Sequence, residues 1–190
     1  MSTMTEALDP ATFVQSYLVD KYKAEIVAWN EAPSPNAFID ILRDLNASKA
    51  AFVEICVALA EEVLPVFEKE FPKDLRPRKA IEAAKAWLKD RTAANTRAAA
   101  VASDAASNAA VNSTAIKLVS VLETWSASVV VGAAAWAASR AASAAADTSY
   151  ASDFTFCTAD DATRAGLPGH RIMDIFREVG YKYYAFLKPR

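Results

Sequence analysis

The segment between residues 93 and 146 constrains the fold more than any other part of the chain. Of its 54 residues, 22 are Ala and only one is Gly. Ala is the strongest helix former, whereas flexible linkers are rich in Gly and Ser. Because small side chains also let helix axes approach closely, this composition predicts two or three long helices packed tightly together.

The rest of the chain is consistent with an all-α protein. Its 190 residues are 53% hydrophobic, which excludes an intrinsically disordered chain. Four Gly are too few for the many turns of a β-sandwich, and two Cys do not make a disulfide framework. We therefore expect one compact bundle of about six to eight helices over residues 1–190.

Pro and short polar residues mark where several helices should begin. Pro fits the first helical turn, and a preceding Ser or Asp can cap the free N–H groups there. Such signals stand at Asp9-Pro10, Ser34-Pro35, Arg76-Pro77 and Pro168-Gly169. Pro65 should kink or end the helix around it, Gly180 should end or bend the last helix, and residues 149–160 should be irregular.

Charge divides the chain into three parts. Residues 1–72, the predicted acidic helices, have 12 acidic and five basic side chains, a net charge of −7. Residues 73–97, here called the basic hinge, have eight basic and three acidic side chains, a net charge of +5. Residues 98–190 have no net charge. They comprise the rest of the alanine-rich helices, to residue 146, followed at 147–190 by a predicted loop and an aromatic C-terminal helix. Such separated charge can orient a partner protein.

The basic hinge has two interpretations. Its cations can pair with acidic residues of the same chain, such as Glu61, Glu62, Glu68 or Glu70, or they can bind carboxylates of a partner. A third hypothesis, nucleic-acid binding, would add Arg91 and Arg97, but no aromatic residue interleaves with the cations on the wet face. The candidate partner-binding residues are Lys73, Arg76, Arg78, Lys79, Lys85 and Lys89.

The aromatic C-terminal tail is a second candidate contact surface. Aromatic side chains are enriched in the cores of protein interfaces, and they also fill protein interiors. The tail can therefore anchor an oligomer or pack on the core of its own chain. Its candidate residues are Tyr181, Tyr183, Tyr184 and Phe186.

Residues with catalytic potential are few and scattered. His170 is the only His, and it follows Pro-Gly at a predicted helix start, which favours a surface or capping role. Cys56 and Cys157 are far apart in sequence and are expected to be reduced, mostly buried thiols. We expect Glu61-Glu62 to be solvated and Asp160-Asp161 to cap a helix. The sequence thus predicts no enzyme, no catalytic set, no metal site and no cofactor.

The sequence also suggests where the protein acts. No charged and apolar leader opens the chain, and the apolar stretch Ser126–Ser139 is shorter than the roughly 20 residues of a membrane span. We interpret that stretch as a buried helix. With the reduced thiols, these features predict a cytoplasmic protein and no membrane partner.

One stretch carries a family resemblance. Residues 56–87 read CVALAEEVLPVFEKEFPKDLRPRKAIEAAKAW, which resembles the core signature of the Imm-5-like family of immunity proteins. In that family, a Leu-Pro-Phe-Glu segment precedes a Pro, an acidic residue and an RPR-x-AIEAA-x-x-W run. The alanine-rich helices to about Ala146 also resemble the family. The matching residues are Leu64, Pro65, Phe67, Glu68, Pro72, Asp74, Arg76, Pro77, Arg78, Ala80, Ile81, Glu82, Ala83, Ala84 and Trp87.

The resemblance implies an inhibitory binding protein. Immunity proteins bind a cognate toxin and block it with a rigid, charge-complementary surface rather than with chemistry. A phage-encoded inhibitor of a bacterial enzyme or defence complex would have the same sequence features. The main alternative is a structural or assembly module that self-associates through its alanine-rich helices and its tail. Nucleic-acid binding through residues 73–97 is the third and least favoured hypothesis.

Overall fold

The computed structural model describes residues 19–119, 125–147 and 150–188, and these ranges contain helices and no strand. The all-α prediction is therefore confirmed. The helices are α1 (Lys23–Asn30), α2 (Pro35–Asp44), α3 (Lys49–Glu70), α4 (Arg76–Lys89), α5 (Ala93–Val119), α6 (Trp125–Ala146), α7 (Ala151–Arg164) and α8 (Gly169–Tyr183), followed by a 3₁₀ turn at Ala185–Leu187.

Helix starts follow the Pro and capping signals. The Ser34 hydroxyl accepts a hydrogen bond from the Ala37 N–H at 3.4 Å, with Pro35 in the first turn of α2. Pro77 lies in the first turn of α4, and Pro168 immediately precedes α8. These three predictions are confirmed, whereas the signal at residues 9 and 10 lies outside the described residues.

Pro65 lies inside a helix, and the segment expected to be irregular is mostly helical. Helix α3 continues through Pro65 to Glu70, so it does not end at this Pro. Pro65 is exposed, so water can reach the carbonyl that lost its helical N–H, while buried Val63 and Phe67 hold the other face. Similarly, the expected irregular segment at 149–160 is mostly helix α7, because buried Ala, Thr and Asp side chains pack one face of this polar sequence.

Helix α6 lies at the centre of the bundle. It packs against α3, α4, α5 and α7, with its most extensive contact along α5. Its alanines between positions 133 and 145 are almost all fully buried. The window Val129–Ala146 is the one stretch of the described residues long and apolar enough to cross a membrane, and 67% of it is buried inside the protein. This window is longer than the apolar stretch recognised in the sequence.

Polar and glycine contacts fix how α5 and α6 meet. The Ser139 hydroxyl lies 2.7 Å from the Ser107 hydroxyl and 3.2 Å from the Ser103 carbonyl oxygen. At Gly132, an added Cβ would stand 2.4 Å from the Thr114 hydroxyl oxygen. A larger residue at position 132 would therefore require the Thr114 side chain to move.

A cluster of large rings joins α1, α2 and α8. The Phe38 ring meets Trp29 edge to face at 4.5 Å and stacks on Phe176 at 5.5 Å. All three side chains are fully buried. Gly180 does not end α8, but a Cβ there would stand 2.0 Å from the Trp29 ring. Gly180 is therefore the position at which α8 accommodates this ring.

Candidate protein-binding surface

Three of the six candidate cations of the basic hinge form ion pairs within the chain. The Arg78 guanidinium donates from Nε and from Nη2 to the two carboxylate oxygens of Glu68 on α3, each at 2.7 Å. Lys85 is bonded to Glu61, also on α3. These two pairs confirm the prediction that hinge cations contact acidic residues of the N-terminal helices. They tie α4 to α3 on the outside of the bundle.

Arg76 forms its ion pair within the loop before α4. Its guanidinium donates to the Asp74 carboxylate at 2.9 and 2.6 Å, and its backbone N–H donates to the same carboxylate at 3.2 Å. The hydrogen bonds from Arg76 hold the pKa of Asp74 below its usual value. Asp74 thus satisfies an N–H group of the first helical turn and positions the Arg76 head group.

The other three hinge cations lie on the surface of the protein. Lys73, Lys79 and Lys89 are exposed and form no ion pair or hydrogen bond within the described residues. The same holds for Arg97 on α5. The sequence placed Lys79 and Lys89 in one set with Arg78 and Lys85, but the structure separates them into paired and unpaired cations.

An open apolar groove lies between the start of α4 and the first half of α5. Its volume is about 600 Å³. Arg76 and Lys79 border it on the α4 side, and Arg97 borders it on the α5 side. Val101 projects into it and is 67% exposed. The remaining lining residues are Ala94, Ala98, Ala102 and Ala105.

This groove was only partly visible in the sequence. Positions 94, 98, 101 and 105 recur at intervals of four and three residues, which is the spacing of one helix face. The signal was hidden because Ala occurs on every face of α5, so buried and exposed faces have the same composition. Only the packing of α4 and α6 shows which face remains open.

Tyr181 and Tyr183 of the tail bond to the chain itself. The Tyr181 hydroxyl donates to the Asn30 side chain at 2.8 Å, and the Tyr183 hydroxyl donates to Glu54 at 2.8 Å. Burial and the neighbouring Glu54 carboxylate raise the pKa of Tyr183 to about 12. Both hydroxyls are hydrogen-bond donors, and they attach the end of α8 to α1 and α3.

Tyr184 and Phe186 complete this attachment. The Tyr184 hydroxyl accepts a hydrogen bond from the Ser48 N–H at 3.3 Å, just before α3. Phe186 stacks on Tyr22 with ring centroids 5.3 Å apart. All four predicted tail residues pack against the core, as one of the two alternatives for the tail proposed.

The residues with catalytic potential are distributed over α3, α7 and α8. His170 is exposed at the start of α8, as predicted. Cys56 is buried, Cys157 is half-buried, and both are free thiols. Burial raises the pKa of Cys56 to about 11, so its reactive thiolate form is scarce near neutral pH. Among the described residues, no three His, Cys, Asp or Glu side chains are grouped as a metal site.

The paired carboxylates at 160 and 161 do not cap a helix as predicted. Both lie inside α7, where Asp160 pairs with Arg164 one turn later at 2.9 Å. Asp161 points inward and accepts a hydrogen bond from Arg140 of α6 at 2.9 Å. Desolvation is the larger effect on Asp161 and raises its pKa despite the nearby guanidinium. The ion pair between Asp161 and Arg140 therefore links α6 to α7.

Comparison with known proteins places the chain in a family. A family model described as Imm-5 like putative immunity protein matches residues 45–165. The match confirms the resemblance seen at residues 56–87 and extends it from the end of α2 through α7. No curated protein and no solved structure matches the chain.

Proposed function

Because the chain belongs to the Imm-5-like family of immunity proteins, we propose that it binds a partner protein and blocks it without catalysing a reaction. The partner is a toxin or, if the chain is phage-encoded, a bacterial enzyme or defence complex. The family match over residues 45–165 is the observation that carries this proposal. The site of action that we propose is the cytoplasm.

The surface chemistry supports inhibition by binding. Lys73, Lys79 and Lys89 stand exposed on or beside α4, without an internal ion pair within the described ranges. Arg76, Arg78 and Lys85 are held in defined positions by carboxylates of the chain. A pre-organised charged surface gives a binder fast association and discrimination between partners.

Self-association and nucleic-acid binding have weaker support. The buried alanines of α6 and the four tail aromatics are used in packing within the chain. Three hinge cations have carboxylate partners, which lowers the positive potential that nucleic acid would require. Neither hypothesis gains a specific observation from the structure.

Co-expression with the product of a neighbouring gene tests the proposal. We would induce each neighbouring gene in a bacterial host, with and without this chain, and measure growth. The expected result is one growth-inhibiting product whose effect disappears when the chain is co-expressed. The two purified proteins should then elute together in size-exclusion chromatography.

A matched control separates binding from a general stress effect. The same toxic product should remain inhibitory beside an unrelated helical protein expressed at equal level. The proposal fails if no neighbouring product is neutralised and none forms a complex with the chain. A chain that chemically modifies the toxin, detected as a mass change, would also contradict the non-catalytic mechanism.

A further inference from the structure

We infer that the groove between α4 and α5 binds an acidic amphipathic helix of the partner protein. This inference rests on the proposed function and assigns it a surface and a ligand chemistry. The groove is lined by Arg76, Lys79, Arg97 and Val101, together with four Ala side chains. Apolar contact supplies the floor of the site, and the cations at its border select the charge of the ligand.

Val101 is the apolar centre of this site. At 67% exposure it is the most exposed large apolar side chain of the described residues. Its neighbours Ala98, Ala102 and Ala105 extend the apolar surface along α5. Exposed apolar surface with a polar border is characteristic of protein-binding sites. Leaving Val101 in water serves no packing purpose within the chain.

The charge of the border indicates an acidic ligand. Lys79 and Arg97 have no ion pair within the described ranges, and no described Asp or Glu lines the groove. Arg76 is oriented by Asp74, which offsets much of its charge and fixes its position. Two uncompensated cations on opposite sides of an apolar floor match carboxylates on both edges of an apolar ligand face.

The dimensions of the groove favour a helix as the ligand. Its lining spans Ala94 to Ala105 along α5, which is about 16 Å at the helical rise of 1.5 Å per residue. A partner helix of about three turns has this length and places apolar side chains at i, i+4 and i+7 on one face. The small Ala side chains of the floor let such a helix approach closely.

Peptide display on the full chain tests the inference without knowledge of the natural partner. The immobilised protein selects binders from a random 16-residue peptide library, and selected peptides are synthesised with a fluorescent label. We expect peptides with Asp or Glu on both sides of large apolar residues at helical spacing. Fluorescence anisotropy then measures their affinity for the wild-type chain and its variants.

Two pairs of variants map the binding site. Lys79→Glu and its control Lys89→Glu change exposed, unpaired cations of α4, but only Lys79 lines the groove. Val101→Glu and its control Val111→Glu change exposed Val residues of α5, which are 67% and 54% exposed, respectively. We expect at least about tenfold weaker binding for each groove variant and less than about twofold change for each control, since 1.4 kcal/mol corresponds to tenfold. Circular dichroism verifies that all four fold.

Several results would overturn the inference. Recovery of no peptide, of peptides without acidic residues, or of peptides that bind the groove variants normally would each do so. A wild-type dimer that Val101→Glu dissociates in light scattering would assign the groove to a second copy of the chain. Duplex DNA that requires Lys79 but not Val101 would assign the surface to nucleic acid.

The growth assay separates this inference from the proposed function. If Lys79→Glu and Val101→Glu still neutralise the toxic product, the groove is wrong and the inhibitory function stands. If peptides bind the groove as expected but the wild-type chain neutralises no neighbouring product, the docking surface stands and the inhibitory function is wrong.

Discussion

Two regions of the protein bury apolar surface with side chains of very different size. They are the ring cluster of α1, α2 and α8 and the seam between α5 and α6. The cluster uses large side chains, Trp29, Phe38 and Phe176, which are fully buried. The seam uses Ala, Ser and one Gly, so each side chain buries little surface but the two backbones lie close together. The comparison shows that the two regions should respond differently to changes in side-chain size.

The two regions also differ in how many buried hydrogen bonds they contain. In the seam, the hydroxyls of Ser103, Ser107, Ser139 and Ser143 form a connected set that sets the register of α5 on α6. In the cluster, the Trp29 indole N–H is buried without a partner among the described residues. The cluster therefore depends on shape and apolar area, and the seam depends on close approach and hydrogen bonds.

Truncating a ring should have the largest effect. We expect Phe38→Ala to lower the free energy of unfolding by about 3–5 kcal/mol, because it leaves a cavity between Trp29 and Phe176. Urea denaturation followed by circular dichroism measures this loss. A loss below about 1 kcal/mol would show that the cluster can collapse around the cavity.

Enlarging a seam residue should have the next largest effect. Ala135 is fully buried on α6, one turn from both Gly132 and Ser139. We expect Ala135→Leu to destabilise the fold by about 1–3 kcal/mol or more, because the close backbones leave no room for the added carbons. The same change at exposed Ala86 of α4 is the control and should stay within about 0.5 kcal/mol. Equal effects at the two sites would refute the close-packed seam.

Within the ring cluster, adding a side chain at Gly180 should also lower the free energy of unfolding. Its missing Cβ would overlap Trp29, so we expect Gly180→Ala to cost about 1–3 kcal/mol. Trp29→Phe removes the overlapping outer ring and should recover part of this loss. A double-mutant cycle in urea measures the coupling between the two sites. Purely additive effects would mean that α8 shifts to avoid the clash.

A smaller effect is expected from the seam hydroxyls. Ser139→Ala removes the bonds to Ser107 and to the Ser103 carbonyl but adds no volume. We expect a loss of about 0.5–1.5 kcal/mol, the usual net contribution of a hydrogen bond. Thermal unfolding measures it against Ser152→Ala, which removes a hydroxyl of a half-buried Ser that accepts a hydrogen bond from Arg43. A stabilised Ser139→Ala variant would mean that the serines serve specificity at the expense of stability.

The smallest predicted effect concerns Asp74, the ion-pair partner of Arg76. Arg76 lowers the pKa of Asp74 in the folded state, so the carboxylate binds its proton less readily than in the unfolded chain. This contribution to stability is present above the unfolded pKa and is lost as pH falls through the folded pKa. Carbon NMR of the carboxyl should show this low midpoint, and Arg76→Gln should raise it. An unchanged midpoint would mean that Arg76 does not hold Asp74.

Local sequence signals predicted much of the helical layout. Ser34-Pro35 and Pro77 begin helices because their preferred backbone angles and capping groups act within one turn. Pro65 does not end α3, because the missing backbone hydrogen bond is a local cost, whereas the burial of Val63 and Phe67 depends on packing with other helices. The helix at α7 was missed because its buried Thr and Asp residues gave no apolar stripe.

The candidate site was predictable as a region but not as a surface. The sequence by itself determined an all-α chain, an acidic first part, a basic hinge and a family signature, because these follow from composition and local spacing. Only the tertiary structure decided that Arg78 and Lys85 are paired, whereas Lys79 and Arg97 border an apolar groove with Val101. Ion pairing and exposure depend on which helices meet in space, and a helix of alanines has the same sequence on its buried face as on its open one.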